Sequence, residues 1–236
     1  MSKNLILIPV FNRASMITDA ISRIDESLGN QTDILVIDDG SEDSTSEKVK
    51  TSDHILLLTH EQSLGYGAAL CNGLQLANDL DYEFAVSLDI AALKGHYAFT
   101  PILAALNEGY DIITASRMTK EDRGVANEDY SALDTGNTVA DKLNNTTGNP
   151  FIDPFSPYKG FRINAMNKLI LEEYDESAVI QMWIQAAHHG LRVKEIECED
   201  IHTGYIHEGE YLENDIDHYL DFIEAERFLY PVDLPH

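Results

Sequence analysis

Leu5-Ile6-Leu7-Ile8-Pro9-Val10-Phe11-Asn12-Arg13 sets the pattern of this chain, and Asp33-Ile34-Leu35-Val36-Ile37-Asp38-Asp39-Gly40-Ser41 repeats it. Each is a short apolar run that stops abruptly in polar residues. An apolar run without alternation marks a strand covered on both faces. The polar residues after each run then gather at the carboxyl ends of neighbouring parallel strands, where open α/β sheets bind ligands. The site marked in this way is acidic.

The rest of the chain extends the same reading. Ile17, Ala20, Ile21, Ile24 and Leu28 recur at helical spacing, which predicts a helix over 15–28 packed on the sheet. A short polar helix near 43–50 and a strand over 55–58 follow. A small-residue helix over 64–78 opens with Gly65 and Gly67 and carries Ala68, Ala69, Gly73 and Ala77. Small residues let backbone come close to a neighbour or a ligand. A strand over 84–88 ends at Asp89. Thr100-Pro101 signals the start of a helix running to about Asn107, and a strand over 111–115 ends at Ser116-Arg117.

The alternation then stops. Residues 118–158 are polar and turn-rich, with a break at Asn144-Asn145-Thr146-Thr147-Gly148-Asn149-Pro150, and read as a functional lid or acceptor loop. Beyond it come a short strand near 160–164, helices near 165–173 and 178–189, a last strand over 192–198 and an amphipathic helix from about 214 to 228. Trp183 reads as core, and His188-His189 as a helix end that suits the dipole.

Composition narrows the function. The chain has 236 residues, 44% of them hydrophobic, enough for one large domain or two small ones. Its net charge of −25, from 41 acids against 16 bases, disfavours nucleic acid and anionic membranes as partners and suits a salt-rich cytoplasm. An acidic protein that binds a nucleotide diphosphate needs local positive charge or a metal. No apolar run is long enough to span a bilayer and there is no signal-type segment, so a soluble cytoplasmic protein without a transmembrane segment is expected. Cys71 and Cys198 stand in no metal or redox spacing and read as inert thiols. Gly65-Tyr66-Gly67 lacks the third glycine of a dinucleotide fingerprint, and neither a phosphate loop nor a serine nucleophile elbow is present.

Taken in order, these pieces resemble the family 2 glycosyltransferases of the GT-A fold, with the dolichyl-phosphate mannose synthase type as the nearest branch. Ile8-Pro9-Val10-Phe11-Asn12 resembles the opening strand motif, Val36-Ile37-Asp38-Asp39-Gly40-Ser41 the nucleobase-binding strand end, and Leu64-Gly65-Tyr66-Gly67-Ala68-Ala69 the glycine-bearing helix start. Ser87-Leu88-Asp89 sits where the Asp-x-Asp motif belongs, Asp111-Ile112-Ile113-Thr114-Ala115-Ser116-Arg117 resembles the following strand, and Gly160-Phe161-Arg162 the Gly-Phe element. The resemblance implies an α/β fold with a mixed, mostly parallel sheet. It also implies one GT-A domain over 1–236, with a nucleotide half at 1–117 and an acceptor half at 118–236. The implied activity is transfer of a hexose from a UDP- or GDP-sugar to an acceptor hydroxyl, with inversion, using Mg or Mn. Pro9, Phe11 and Asp39 would hold the nucleobase, Asp39 by accepting from its ring N–H. Arg13, Asp38, Gly65 and Gly67 belong to the same donor-binding motifs, Asp89 would reach the metal or ribose, and Arg117 would lie near the phosphates.

Three departures from the family pattern shape the expectations. The Asp-x-Asp motif reads Asp89-Ile90-Ala91, so Ala91 stands where a second carboxylate belongs; Lys94 nearby could supply positive charge or could simply be solvated. The position that usually offers an acid toward the acceptor reads Gln181, which cannot act as a base. Asp175 and Glu176 are the candidates to replace it, or else acids that begin a helix where the dipole favours them. The segment 200–210 has no Lys or Arg, which argues against a lipid-phosphate acceptor. Its His202 and His207 could complete a metal shell beside Asp89, or be surface histidines. The competing reading is a nucleotide or nucleotide-sugar binding protein with a degenerate metal site; nucleotidyl transfer ranks third, since only Arg13 offers positive charge in the opening loop. Oligomeric state is not legible.

Overall fold

The computed structural model describes residues 4–28, 32–90, 99–116, 131–197 and 216–234. Seven strands form one sheet: β1 (Asn4–Val10), β2 (Thr32–Asp38), β3 (Ile55–Thr59), β4 (Phe84–Ser87), β5 (Ile112–Ser116), β6 (Lys159–Arg162) and β7 (Val193–Glu197). Their order is β3-β2-β1-β4-β6-β5-β7. All pairings are parallel except those of β6, which runs antiparallel to both β4 and β5. The mixed, mostly parallel sheet expected from sequence is therefore present.

Side chains alternate between two cores, as the twofold strand period requires. Leu5, Leu7, Leu35, Ile37, Ala85, Ile112 and Phe161 face one core. There they meet α3 (Tyr66–Asp79), α5 (Ser131–Thr147), α7 (Ser177–His188) and α8 (Ile216–Leu229). Ile6, Ile8, Ile34, Val36, Val86 and Ile113 face the other core, covered by α1 (Ile17–Leu28) and α4 (Phe99–Asn107). Two short helices, α2 (Thr45–Lys48) and α6 (Ile163–Met166), complete the set. The first connection runs from β1 through α1 to β2. The chain then returns from β3 through α3 to β4, on the other side of β1 and under the opposite face. The order therefore reverses between β1 and β4, and the crevice at a topological switch point of this kind is where such sheets hold ligands.

Two expectations need correction. Residues 118–158 are not a continuous loop, because α5 occupies 131–147. Its core contacts are Val139, Ala140 and Leu143, and the remaining inward positions, Thr146 and Thr147, are polar. Their hydroxyls are satisfied within the helix, Thr146 donating to the Lys142 carbonyl at 2.9 Å and Thr147 to that of Leu143 at 3.0 Å. An Asn- and Thr-rich stretch has low intrinsic helix preference, and packing against α7 and α8 overrides it. The helix expected over 165–173 shrinks to α6, because the chain beyond it runs alongside α7 instead.

That alongside segment is held by a polar stripe on α7. Gln181 accepts from the Glu172 N–H at 2.8 Å, and Gln185 accepts from the Ile170 N–H at 2.7 Å while donating to the Ile170 carbonyl at 2.8 Å. Gln181 is thus a structural amide. Trp183, fully buried, donates to the Pro154 carbonyl at 3.0 Å and packs on Phe151, consistent with a core role. No helix among the described residues is long and apolar enough to cross a membrane.

Gln185 also donates to Glu226 of α8 at 2.9 Å. Burial pushes the Glu226 carboxyl up and the nearby Glu172 and Glu173 charges add to the rise, against the opposing pull of the Gln185 and Gln181 hydrogen bonds. A carboxyl raised in the folded state binds its proton more tightly there than in the unfolded chain. Stability from this site is therefore present at acid pH and falls as pH rises past the ordinary value of 4.5. Glu226→Gln should raise the thermal midpoint at pH 7 by roughly 2–4 °C, equivalent to about 1 kcal/mol in a chain of this size. The gain should shrink to nothing below the ordinary carboxyl range, which thermal melts across pH will show.

Candidate functional site

The carboxyl ends of β1, β2 and β4 lie side by side, since Val10 pairs with Asp38 and Leu7 with Ser87. The polar residues after each strand are therefore brought together. The loops after β1 and β2 are laced by reciprocal bonds. Asn12, at a positive φ of 52°, accepts through Oδ1 from the Glu42 N–H at 2.9 Å and the Asp43 N–H at 3.3 Å. Its own N–H donates to Ser41 Oγ at 2.8 Å. The Arg13 N–H donates to Thr45 Oγ1 at 2.8 Å and the Ala14 N–H to Asp43 Oδ2 at 3.1 Å. Arg13 turns its guanidinium back on the carbonyls of Phe11 and Asn12, at 3.1 and 3.2 Å. Pro9 is half-buried, while Phe11 stays 42% exposed at the edge of the crevice.

The two acids that end β2 are both buried and both engaged by their own chain. Asp38 accepts from the Ser41 N–H at 3.0 Å and from the Ser46 hydroxyl. Asp39 accepts four bonds. Oδ1 takes the Leu64 N–H at 2.9 Å and His60 Nδ1 at 2.6 Å, and Oδ2 takes Ser63 Oγ at 2.7 Å and the Gly65 N–H at 2.9 Å. A carboxylate has about four acceptor positions, and all are used. Burial alone would raise this carboxyl, but the bonds from Leu64, His60, Ser63 and Gly65 outweigh it and hold the group below the usual carboxylate range. Asn72 Nδ2 donates to His60 Nε2 at 3.0 Å, which leaves Nδ1 as the protonated nitrogen facing Asp39. His60 was not singled out from sequence. Its signal is its position directly after the apolar run of β3, the same signal that marked Asp39 and Asp89.

Gly65 and Gly67 press against the other half of the chain. Gly65 has φ +100°, and a Cβ there would lie 2.3 Å from the Tyr174 carbonyl oxygen. A Cβ on Gly67 would lie 2.6 Å from the Asp175 carbonyl oxygen and 2.7 Å from Ala178 Cβ. The glycines thus seat the start of α3 against the start of α7 and bring Asp175 and Glu176 to the site. Asp175 is exposed and accepts from the Ser177 N–H at 2.8 Å, in the manner of a helix cap. Glu176 is half-buried.

Between them stands Tyr66. Its hydroxyl is buried and lies against the Ser87 side chain. Burial first, and then the nearby charges of Asp89 and Glu176, push the Tyr66 hydroxyl up against the opposing pull of its hydrogen bond with Ser87, so it stays protonated throughout the working range. Asp89 is half-buried just past β4, and its carbonyl accepts from the Tyr158 hydroxyl at 3.2 Å. Lys159, on β6 opposite Ser87, is buried and donates to the Ser156 carbonyl. Neither Tyr66 nor Lys159 was chosen as a site residue from sequence.

Ala91, Arg117, His202 and His207 lie outside the described residues. Among the described residues no three His, Cys, Asp or Glu side chains gather as a metal site, and Asp89 is the one expected metal ligand present. The described residues do not by themselves make up a set for Mg or Mn.

A mixed sheet with an acidic crevice at the β1/β4 switch point is the architecture of the GT-A glycosyltransferases. Residues 5–174 match Glycosyl transferase family 2, and the chain belongs to that family of glycosyltransferases. It is 28% identical over 208 residues to the uncharacterized protein MJ1222 of Methanocaldococcus jannaschii, covering 85% of this chain and 82% of that one. It is 30% identical over 125 residues to an undecaprenyl-phosphate 4-deoxy-4-formamido-L-arabinose transferase of Salmonella paratyphi B, covering 50% of this chain but only 37% of that protein. In fold it is similar to glucosyl-3-phosphoglycerate synthase from Mycobacterium tuberculosis, with a TM-score of 0.65 at 15% identity over 98% of this chain and 82% of that one. The same enzyme solved with Mn2+, UDP-glucose and phosphoglyceric acid superposes at a TM-score of 0.61 and 19% identity, covering 82% and 69%.

Asp39→Asn leaves one acceptor oxygen where four donors converge. It should cost about 3 kcal/mol of stability at neutral pH, measured by urea denaturation. Because the folded carboxyl is depressed, its contribution is present above the ordinary carboxyl value and is lost as pH falls through the folded one. The gap between wild type and variant should therefore close in acid.

Proposed function

We propose that the protein transfers a hexose from a nucleotide diphosphate sugar to an acceptor hydroxyl by direct displacement with inversion. The observation that supports this best is the convergence of the β1 loop, the β2 acids, Asp89 and Glu176 at one crevice of a family 2 glycosyltransferase. In this reading Phe11, on the loop laced to residues 41–45, and Leu64, on the loop bonded to Asp39, are both exposed and present apolar surface to the nucleobase of a UDP- or GDP-sugar. Pro9 and Arg13 shape the same wall. Asp38 and Asp39 hold the wall from behind, and Gly65 and Gly67 keep the acceptor-side carboxylates close. Asp89 faces the ribose or the diphosphate, with Arg117, His202 and His207 as further candidates on the phosphate side. A divalent cation, when bound, would neutralise the diphosphate as it leaves.

Glu176 is the proposed base. Its carboxylate takes the proton of the acceptor hydroxyl as that oxygen bonds to the anomeric carbon and the nucleotide diphosphate departs. Asp175 supports it by capping the turn that carries it. The departure at Ala91 keeps a second reading open, a nucleotide-sugar binding protein with little transferase activity.

Thermal-shift measurements with UDP, GDP and their sugars, with and without Mn2+ or Mg2+, test the donor. A ligand at 100 times its Kd adds about 2.7 kcal/mol of stability. A shift with one nucleotide that grows with metal is the expected result; no shift with any of them would overturn the proposal, and a metal-independent shift without turnover would favour the binding protein. Glu176→Gln should keep donor binding while lowering kcat by about 10²–10⁴-fold, read in a turnover assay.

A further inference from the structure

Asp39 accepts from four donors of its own chain, so a ring N–H of a nucleobase finds no open position on its carboxylate. Its influence on a bound nucleotide must pass through what it holds. Two of the four donors are consecutive backbone N–H groups that bond to different oxygens, Leu64 to Oδ1 and Gly65 to Oδ2, both at 2.9 Å. The carboxylate plane must be turned one way to reach both. Ser63 belongs to the same loop and moves with it. His60 stands outside that loop, directly after β3, with its own N–H donated to the Asp38 carbonyl at 2.9 Å. Its ring is held at both nitrogens, Nδ1 donating to Asp39 Oδ1 at 2.6 Å and Nε2 accepting from Asn72 of α3 at 3.0 Å. The side chains of His60 and Asp39 are each 7% exposed. Carboxylate, imidazole and amide thus join the end of β2, the end of β3 and α3 in one hydrogen-bonded chain.

We infer that His60 is a positioning residue for the donor nucleotide: backed by Asn72, it locks the Asp39 carboxylate in the orientation that shapes residues 61–65 before the nucleotide arrives. The inference rests on the nucleotide-sugar reading above and adds to it the route by which Asp39 acts, through the loop and not through a bond to the base. Leu64, the exposed residue of that loop, is tied to Asp39 by its own N–H, so a carboxylate that turns carries Leu64 with it. A loop that holds its binding shape a tenth of the time binds about 10-fold more weakly.

Calorimetric titration with UDP and GDP, run well below the thermal midpoint of each protein, tests the inference on wild type, His60→Leu, His60→Asn and Asn72→Ala. His60→Leu removes both ring bonds, whereas His60→Asn keeps a side-chain N–H near the place of Nδ1. For the nucleotide that wild type binds, His60→Leu should weaken affinity about 10-fold, and His60→Asn and Asn72→Ala only about threefold. Hydrogen exchange should show the Leu64 and Gly65 amides losing protection in His60→Leu and keeping it in His60→Asn, with the amides of β1 and β2 unchanged. Wild-type affinity in folded His60→Leu, or equal losses in His60→Leu and His60→Asn, would overturn the positioning role and leave donor binding intact. Tighter binding in His60→Leu would overturn it as well, because the freed Asp39 oxygen would then take the base directly. If His60→Leu does not fold, Asn72→Ala on the exposed side of α3 decides, and unchanged affinity there would overturn the role. Failure of wild type to bind either nucleotide would overturn it together with the nucleotide-sugar reading.

Discussion

Four donors converging on the Asp39 carboxylate are the constraint on which the rest of the site depends. Asp39 ends a buried strand, where a lone charge would be prohibitively costly. The loop after β3 solves this by folding over it and supplying two backbone N–H groups, the Ser63 hydroxyl and His60. The same bonds place Leu64 beside the crevice and deliver the chain into α3 at Gly65. Gly40 belongs to this arrangement, since its φ of 72° and the approach of the Gln62 backbone, 2.3 Å from where a Cβ would stand, leave no room for a side chain. The anchoring acid, the covering loop and the start of the next helix are one cooperative unit.

That unit decides how the two halves meet. Once α3 starts at Gly65, the small residues of its first turn let the segment 173–178 approach to backbone contact. At this seam the buried hydroxyls of Tyr66 and Ser87 lie against each other. Stability is thus concentrated behind the site, in Asp39 and its donors.

Charge sets a second condition. The described groups around the crevice are mostly carboxylates, and Arg13 directs its guanidinium to the carbonyls of its own loop. A nucleotide diphosphate entering there meets little compensating positive charge from the described residues. Neutralisation by a divalent cation, by the residues at 117, 202 and 207, or by both is the remaining electrostatic requirement of the proposed reaction.

The sequence by itself determined the sheet and the location of the site. Long apolar strands ending abruptly in polar residues leave few alternatives for β1, β2, β4 and β5, and the polar residues that follow them mark the ligand-binding edge. Tertiary structure decided what each polar residue does there. Asp39 was legible as an acid at a strand end but not as the saturated partner of a loop 21–26 residues away. Gln181 was legible as a missing acid but not as the amide that holds Glu172. The helix at 131–147 was hidden because its inward threonines look polar in sequence and become core only when α7 and α8 cover them. The physical reason is common to all three: strand burial is a local pattern, whereas the partner of a polar side chain is fixed by which distant backbone the fold brings within about 3 Å of it.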